Sequence, residues 1–207
     1  MDLFVNQNIL LYLTAYLVAG LPFGYLLAKK FAQVNIKESG SGNIGATNVL
    51  RVVKEKDPKL AKKLGAATLF LDATKGMLVI LFAKMLGAPE GVLWTISVIA
   101  VLGHCFSPFL MFEGGKGVAT GFGVLLMMMP IPALIAIVVW FIAAKGLKIS
   151  SISSLIGLIA FIIFSYLLYP KVPGIGSHAP IWIIAFIIFY KHIPNLIRFF
   201  NKEEAKV

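Results

Sequence analysis

Val118–Ala144 carries no charged side chain over 27 positions, and Ile149–Pro170 carries none over 22. A helix crosses a bilayer core with roughly 20 mostly apolar residues. Four further runs have the same character: Ile9–Ala28, Leu64–Ala83, Val92–Phe112 and Pro180–Phe200. Asp72 and Lys75 lie inside the second, His104 interrupts the third, and the last turns basic in its second half. Backbone polar groups in lipid must bond within their own segment, so these runs are expected to be helices. Residues 1–207 are therefore expected to form one all-α integral membrane domain. Composition agrees: the chain is 59% hydrophobic with mean hydropathy +0.90, against about 45–50% apolar residues in soluble domains.

The first run has Asp2 ahead of it instead of a basic segment, and Lys29 and Lys30 close it. It is expected to be a retained span, not a signal peptide. A single cysteine, Cys105, excludes an internal disulfide. His104 and Cys105 are adjacent, and His178 and His192 lie far away, so no zinc-ligand spacing is present and no metal is expected.

The net charge of +10 is informative through its placement. If Val118–Ala144 folds back as a hairpin at Pro130 and Pro132, the chain makes about seven spans, with the N-terminus outside and the C-terminus cytoplasmic. Sixteen of the 19 Lys and Arg residues then lie inside, with Lys84 and Lys171 outside and Lys75 within a span. This is the distribution that the positive-inside rule favours. Each half of that hairpin, at roughly 20 Å of helix, is short for a core of about 30 Å.

Three small, polar, basic segments punctuate the apolar runs, and polar groups near lipid are costly and usually functional. The first is SGSGNIGATNVLR, residues 39–51. It spells G-x-G-x-x-G from Gly40 to Gly45, but the dinucleotide fingerprint needs a preceding strand, and a membrane helix and basic loop stand there instead. What remains is a tight turn rich in hydrogen-bonding groups, Ser41, Asn43, Thr47 and Asn48, followed by Arg51. A re-entry turn with a helix cap accounts for the glycines but not for that density of polar groups.

The second segment contains Glu113-Gly114-Gly115-Lys116-Gly117. It is not a Walker A loop, because Leu110 stands where the first Gly belongs and Gly117 follows the lysine. The physics is similar all the same: glycines let backbone N–H groups approach an anion, a helix N-terminus follows near Gly117, and Lys116 adds a point charge. Gly117 and Gly121 also suit a close helix contact, which leaves Lys116 and Glu113 unexplained. His104, taken alone, is more often a hydrogen-bonded structural histidine than a catalyst. The third segment places His192, Asn195 and Arg198 within an arc of about 120° on one helix, with Pro194 a source of local kinking. A basic flank reaching for the interface explains Lys191 and Arg198, but not Asn195. Asp72 and Lys75, one turn apart within a span, are expected to neutralise each other and orient the site.

These segments, in this order, resemble the bacterial acyl-phosphate:glycerol-3-phosphate acyltransferases. The family's first motif, S-G-N-x-G-A-T-N-x-x-R, is matched by Ser41–Arg51. Its second is matched by Gly103, His104, Pro108, Phe112 and Gly114–Thr120. Its third, R-H-x-x-N-I-x-R followed by G-x-E, is matched at His192, Asn195, Arg198 and Glu204. Lys191, Leu196 and Lys202 depart from it, and the Gly missing at 202 puts the role of Glu204 in question.

The resemblance implies transfer of an acyl group from acyl phosphate to the 1-hydroxyl of glycerol 3-phosphate, in phospholipid synthesis at the bacterial inner membrane, without a cofactor. It implies Ser41, Arg51, Lys116, His192 and Asn195 as catalytic groups. Asn43, Thr47, Asn48, His104, Gly114, Gly115, Gly117 and Arg198 are then substrate-binding. The phosphate of glycerol 3-phosphate is assigned to the Gly114–Gly117 turn. Membrane lipids and the acyl-phosphate-producing enzyme are the implied partners, and nucleic acid is not. No H-x-x-x-x-D pair is present, since Pro108 and Phe109 follow His104, and Ile197 follows His192 at that spacing. The mixed anhydride is already activated, so positioning and charge stabilisation carry the expected mechanism. Two other classes stay open. A transporter or channel for an organic phosphate would also gather basic groups, although no internal repeat is visible. A structural scaffold would have no use for Gly-rich polar loops.

Overall fold

The computed structural model describes residues 2–204, and every regular element among them is helical. In chain order they are α1 (Asp2–Gly20), α2 (Phe23–Leu27), α3 (Ala46–Lys54), α4 (Pro58–Met85), α5 (Glu90–Cys105), α6 (Val118–Met128), α7 (Pro130–Leu147), α8 (Ser150–Leu168) and α9 (Ala179–Phe200). The first apolar run breaks at Leu21–Pro22, where proline cannot continue the ladder, and resumes as α2 and a π-helical turn at Ala28–Ala32. Asp57 caps α4 by accepting from the N–H groups of Lys59 and Leu60. Pro58 occupies the first helical position, where its missing N–H costs nothing.

Among the described residues six helical segments are long and apolar enough to cross a membrane, and α6 is a shorter apolar helix. The expected hairpin exists, with unequal halves. Its turn is Met129–Pro130, and α6 has 11 residues against 18 in α7. At roughly 1.5 Å per residue α6 is about 16 Å long, well short of a bilayer core. Val118 at the start of α6 and Trp140 late in α7 line one cavity, so the chain returns to the face it left.

The larger of two apolar core clusters includes Trp94, Ile96, Val101, Val124, Ile184 and Ile188. Large apolar side chains also cover the outside; on α7 these include Ile131, Leu134, Val138, Phe141 and Ile142. Lipid solvates such a surface, so interior packing must come from close backbone approach at small residues. On α6, Gly123 rests on the carbonyl of Ala73, and on α4, Gly76 faces Thr120. The Thr120 hydroxyl donates to the carbonyl of Asp72 at 2.8 Å, fixing the register. On α5, Gly103 admits the backbone of Tyr16, and the Tyr16 hydroxyl donates to the Phe106 carbonyl at 2.6 Å. Gly121 lies against Ile188 and Gly117 against Cys105, Val101 and Ile188, so the small-residue contact exists beside the polar turn. Gly123→Ala drives a methyl group into Ala73. It is expected to destabilise the protein by about 1–3 kcal/mol, read as a lower unfolding temperature in detergent; an unchanged value would refute this packing.

A second, smaller apolar cluster, including Ile36, Val49, Val53 and Ala61, holds α3 and the loop before it against α4. This cluster anchors the first polar segment.

Candidate active site

The three polar segments converge. A cavity of about 120 Å³ is lined by Ser41, Asn43, Thr47, Arg51, Lys116, His192, Asn195 and Glu204, among others. A wider one of about 400 Å³ shares Ser41, Asn43, Lys116 and Asn195, and reaches Tyr190, Ile193, Pro194 and Arg198 on α9. Lys116 therefore stands where the two meet.

The first segment is a loop that one side chain holds. Asn48, buried at 2% exposure, donates through Nδ2 toward the carbonyls of Ile36, Ser39 and Asn43, and its Oδ1 accepts from the N–H of Ser41. Asn48, expected to bind substrate, borders the cavity and also clamps the loop, with its amide N–H groups engaged by backbone carbonyls. Gly40, in the left-handed region at φ 63°, is required here, since a side chain would strike Asn48. Asn43 accepts from the N–H of Gly45 at 2.9 Å, and Thr47 shares a hydrogen bond with Ser150 at 3.1 Å.

The second segment wraps around His104. The N–H of Gly115 donates to the His104 carbonyl at 3.0 Å, and side chains at Gly114 or Gly115 would collide with His104 or Cys105. The Gly115 N–H, expected at the substrate phosphate, is engaged by the His104 carbonyl. Gly117 enters α6 with φ 82° as its N-cap. The exposed pair Glu113–Lys37, at 2.6 Å, clasps this turn to the first loop. Exposed pairs of this kind contribute little stability. The hydrogen bond and charge of Lys37 hold the Glu113 carboxyl below the usual carboxylate range.

Burial pushes the Lys116 ammonium pKa down to about 8. Glu204 pulls it back up, while Arg198 and Arg51 lower it further. Three cations thus surround a space that a dianion would stabilise.

On α9, His192 and Asn195 face inward, at 1% and 4% exposure. The His192 Nδ1 lies 2.7 Å from the Ile188 carbonyl. A carbonyl only accepts, so Nδ1 carries the proton and Nε2 is left as an acceptor. Glu204 organises the rest. It accepts from Ser151 at 2.7 Å, from Asn195 Nδ2 at 2.6 Å and from Arg198 Nε at 2.9 Å. Burial alone would raise its carboxyl pKa, but these three hydrogen bonds and the Arg198 charge hold it below the ordinary range. Lys202 adopts the left-handed conformation, φ 61°, where the family motif has Gly. The chain accordingly turns back, and Glu204 reaches the site.

Several lining residues have no place in the sequence motifs: Asp72, Trp140, Ser150, Ser151 and Ser154. The SSISS cluster at 150–154, opening an otherwise apolar run, is the signal that could have revealed the serines. Trp140 Nε1 donates to Ser154 at 3.3 Å. Asp72 pairs with Lys75 at 2.8 Å, as the sequence suggests, and its Oδ1 lies 3.8 Å from His104 Nδ1, which the sequence did not suggest.

The site is thus a cation-lined polar cavity in an all-helical integral membrane protein, built from three Gly-rich or basic segments. Residues 9–202 match the family described as Glycerol-3-phosphate acyltransferase. Relatives named glycerol-3-phosphate acyltransferase are 60% identical in a Nitratiruptor species, over 100% of this chain and 99% of the relative, and 58% identical in Wolinella succinogenes, over 100% of both. Two crystal structures of PlsY (YgiH), an integral membrane glycerol 3-phosphate acyltransferase, are similar at 32% identity. The glycerol 3-phosphate form has TM-score 0.84, covering 97% of this chain and 96% of that one; the lysophosphatidic acid form has TM-score 0.82, covering 97% and 95%. The chain belongs to the glycerol-3-phosphate acyltransferase family.

Proposed function

We propose that this protein transfers an acyl group from acyl phosphate to the 1-hydroxyl of glycerol 3-phosphate, releasing lysophosphatidate and inorganic phosphate. The observation that carries it is Lys116 at the junction of two cavities, with Arg51 bordering one and Arg198 the other. Two phosphates must approach one another in this reaction, and cations between them offset their repulsion. The smaller cavity suits the small polar acceptor. The wider one, bordered by Tyr190, Ile193 and Pro194 on the outward side of α9, suits a donor whose acyl chain stays in lipid.

In the reaction the acceptor hydroxyl oxygen attacks the acyl carbon. The bond from that carbon to the phosphate oxygen breaks, and the departing phosphate takes the hydroxyl proton. His192 Nε2 and Ser41 orient the hydroxyl, while Lys116, Arg51 and Arg198 stabilise the phosphate charges. The work is positioning and electrostatic stabilisation, with no covalent enzyme intermediate. The residues 1–207 act as one domain in the bacterial inner membrane. The convergence of the basic segments on one face supports a cytoplasmic site, with the acyl-phosphate-producing enzyme as supplier on that side.

The test is acyl transfer by purified protein in lipid, with labelled glycerol 3-phosphate and either acyl phosphate or acyl-CoA. Lysophosphatidate from acyl phosphate alone is the expected product. Product from acyl-CoA would refute the donor, and no product from either would move an organic-phosphate transporter to first place.

A further inference from the structure

Two buried polar atoms face each other behind the glycine turn, Asp72 Oδ1 on α4 and His104 Nδ1 on α5. They are 3.8 Å apart. Among the described residues His104 Nδ1 has no hydrogen-bond partner, and Asp72 Oδ1 has only its ion pair with Lys75. Both residues are nearly inaccessible, at 3% and 4% exposure, yet both border the smaller cavity. An unpaired buried polar atom costs free energy, and a carboxylate oxygen can accept a second bond. Closure by roughly an ångström therefore gains a bond and breaks none. Active-site hydrogen bonds that are long without substrate often tighten when it binds.

The far side of the same imidazole touches the phosphate-facing turn. His104 Nε2 packs on Gly115, close enough that a methyl group there would overlap the ring, and the His104 carbonyl accepts from the Gly115 N–H at 3.0 Å. Lys116 is the next residue. Any rotation of the ring is therefore felt one residue from the cation at the junction. Lys75 binds the same Asp72 Oδ1 at 2.8 Å and also donates to the Leu21 carbonyl at 2.8 Å, which fixes the carboxylate in place.

We propose that Asp72 is a positioning residue for glycerol 3-phosphate: through His104 it sets the Gly114–Lys116 turn, and so the place where the acceptor phosphate binds. Lys75 serves as its neutralising anchor. The role rests on the assignment of Lys116 to the acceptor phosphate made above. A simple charge pair predicts something different, namely that Asp72 matters only as the counter-ion of Lys75.

The experiment uses the full-length protein in lipid. The variants are Asp72→Asn, Asp72→Asn with Lys75→Met, His104→Gln, and Asp72→Asn with His104→Gln. Glycerol 3-phosphate affinity is measured by calorimetry, alongside KM for each substrate and thermal stability. The variant at 72 and 75 removes both charges, so it is expected to fold even if Asp72→Asn alone does not. Its glycerol 3-phosphate affinity is expected to fall about tenfold, the scale of coupling within one hydrogen-bonded network, with a smaller rise in the KM for acyl phosphate, because Lys116 also borders the wider cavity. Asp72→Asn should add nothing further in the His104→Gln background. Recovery of wild-type affinity in the charge-free variant, or equal losses for both substrates, would overturn the positioning role. Should the wild type bind glycerol 3-phosphate but transfer no acyl group, the reaction proposed above fails, while the affinities still decide the role of Asp72.

Discussion

Lys116→Ala is expected to lower kcat/KM by roughly a hundred- to thousandfold, the scale seen when one preorganised charge-stabilising donor is removed. The size follows from position. Lys116 is shared by both cavities, so its loss weakens acceptor binding and leaves the repulsion between two phosphates unscreened. The protein should still reach the membrane at normal levels, because a buried cation with lowered pKa does not contribute to folding. Wild-type turnover in this variant would sink the phosphate assignment. The same residue sets a pH dependence. A lysine with a pKa of about 8 is charged below that value and loses its proton above it. The kcat/KM of the free enzyme should therefore fall as pH rises through about 8. Bound phosphate favours the ammonium form, so the corresponding limb in kcat should lie higher. Lys116→Arg, which stays charged, should remove the limb even where its rate is lower.

The second large effect is expected for Glu204→Ala. One carboxylate accepts from Ser151, Asn195 and Arg198, which joins α8, α9 and the C-terminal turn. Hydrogen bonds to charged groups contribute about 1.5–3 kcal/mol each, but Arg198 is partly exposed and its share is screened. A net loss of about 2–3 kcal/mol in stability is expected, with Asn195 and Arg198 released and turnover falling alongside. Because the folded carboxyl pKa is held below its unfolded value, this stability is present above the unfolded pKa and is lost as pH falls through the folded one. Thermal unfolding of wild type should therefore worsen on acidification below the normal carboxylate range. Glu204→Gln keeps one acceptor and cannot ionise, so it should lie between wild type and Ala and should lack Glu204's acid-dependent loss. A Glu204→Ala variant with wild-type melting behaviour would remove Glu204 from the site's framework.

Much of the site was legible because its signals are local. Glycines, donors and a cation within a dozen positions mark the loop at 39–51 and the turn at 113–117. The spacing of His192 and Asn195 places both on the inward face of α9, as the structure shows. Asn48 shows the limit of such signals. As a residue type it reads as a ligand, and only the positions of the Ile36, Ser39 and Asn43 carbonyls reveal that its amide is already engaged. Gly115 was legible as a glycine that admits something close. The structure shows that this is the ring of His104.

The sequence by itself determined the helical membrane architecture, the hairpin turn near Pro130 and the three polar segments that line the cavities. These follow from apolar run length and from proline and glycine chemistry, which act over a few residues. Tertiary structure alone decided which distant groups meet: Asp72 with His104, Thr47 with Ser150 and Ser151 with Glu204, the last pair 53 positions apart. In lipid those meetings are set by close contacts at small residues such as Gly76, Gly103 and Gly123. A glycine shows that another backbone can come near; its chemistry does not say which one.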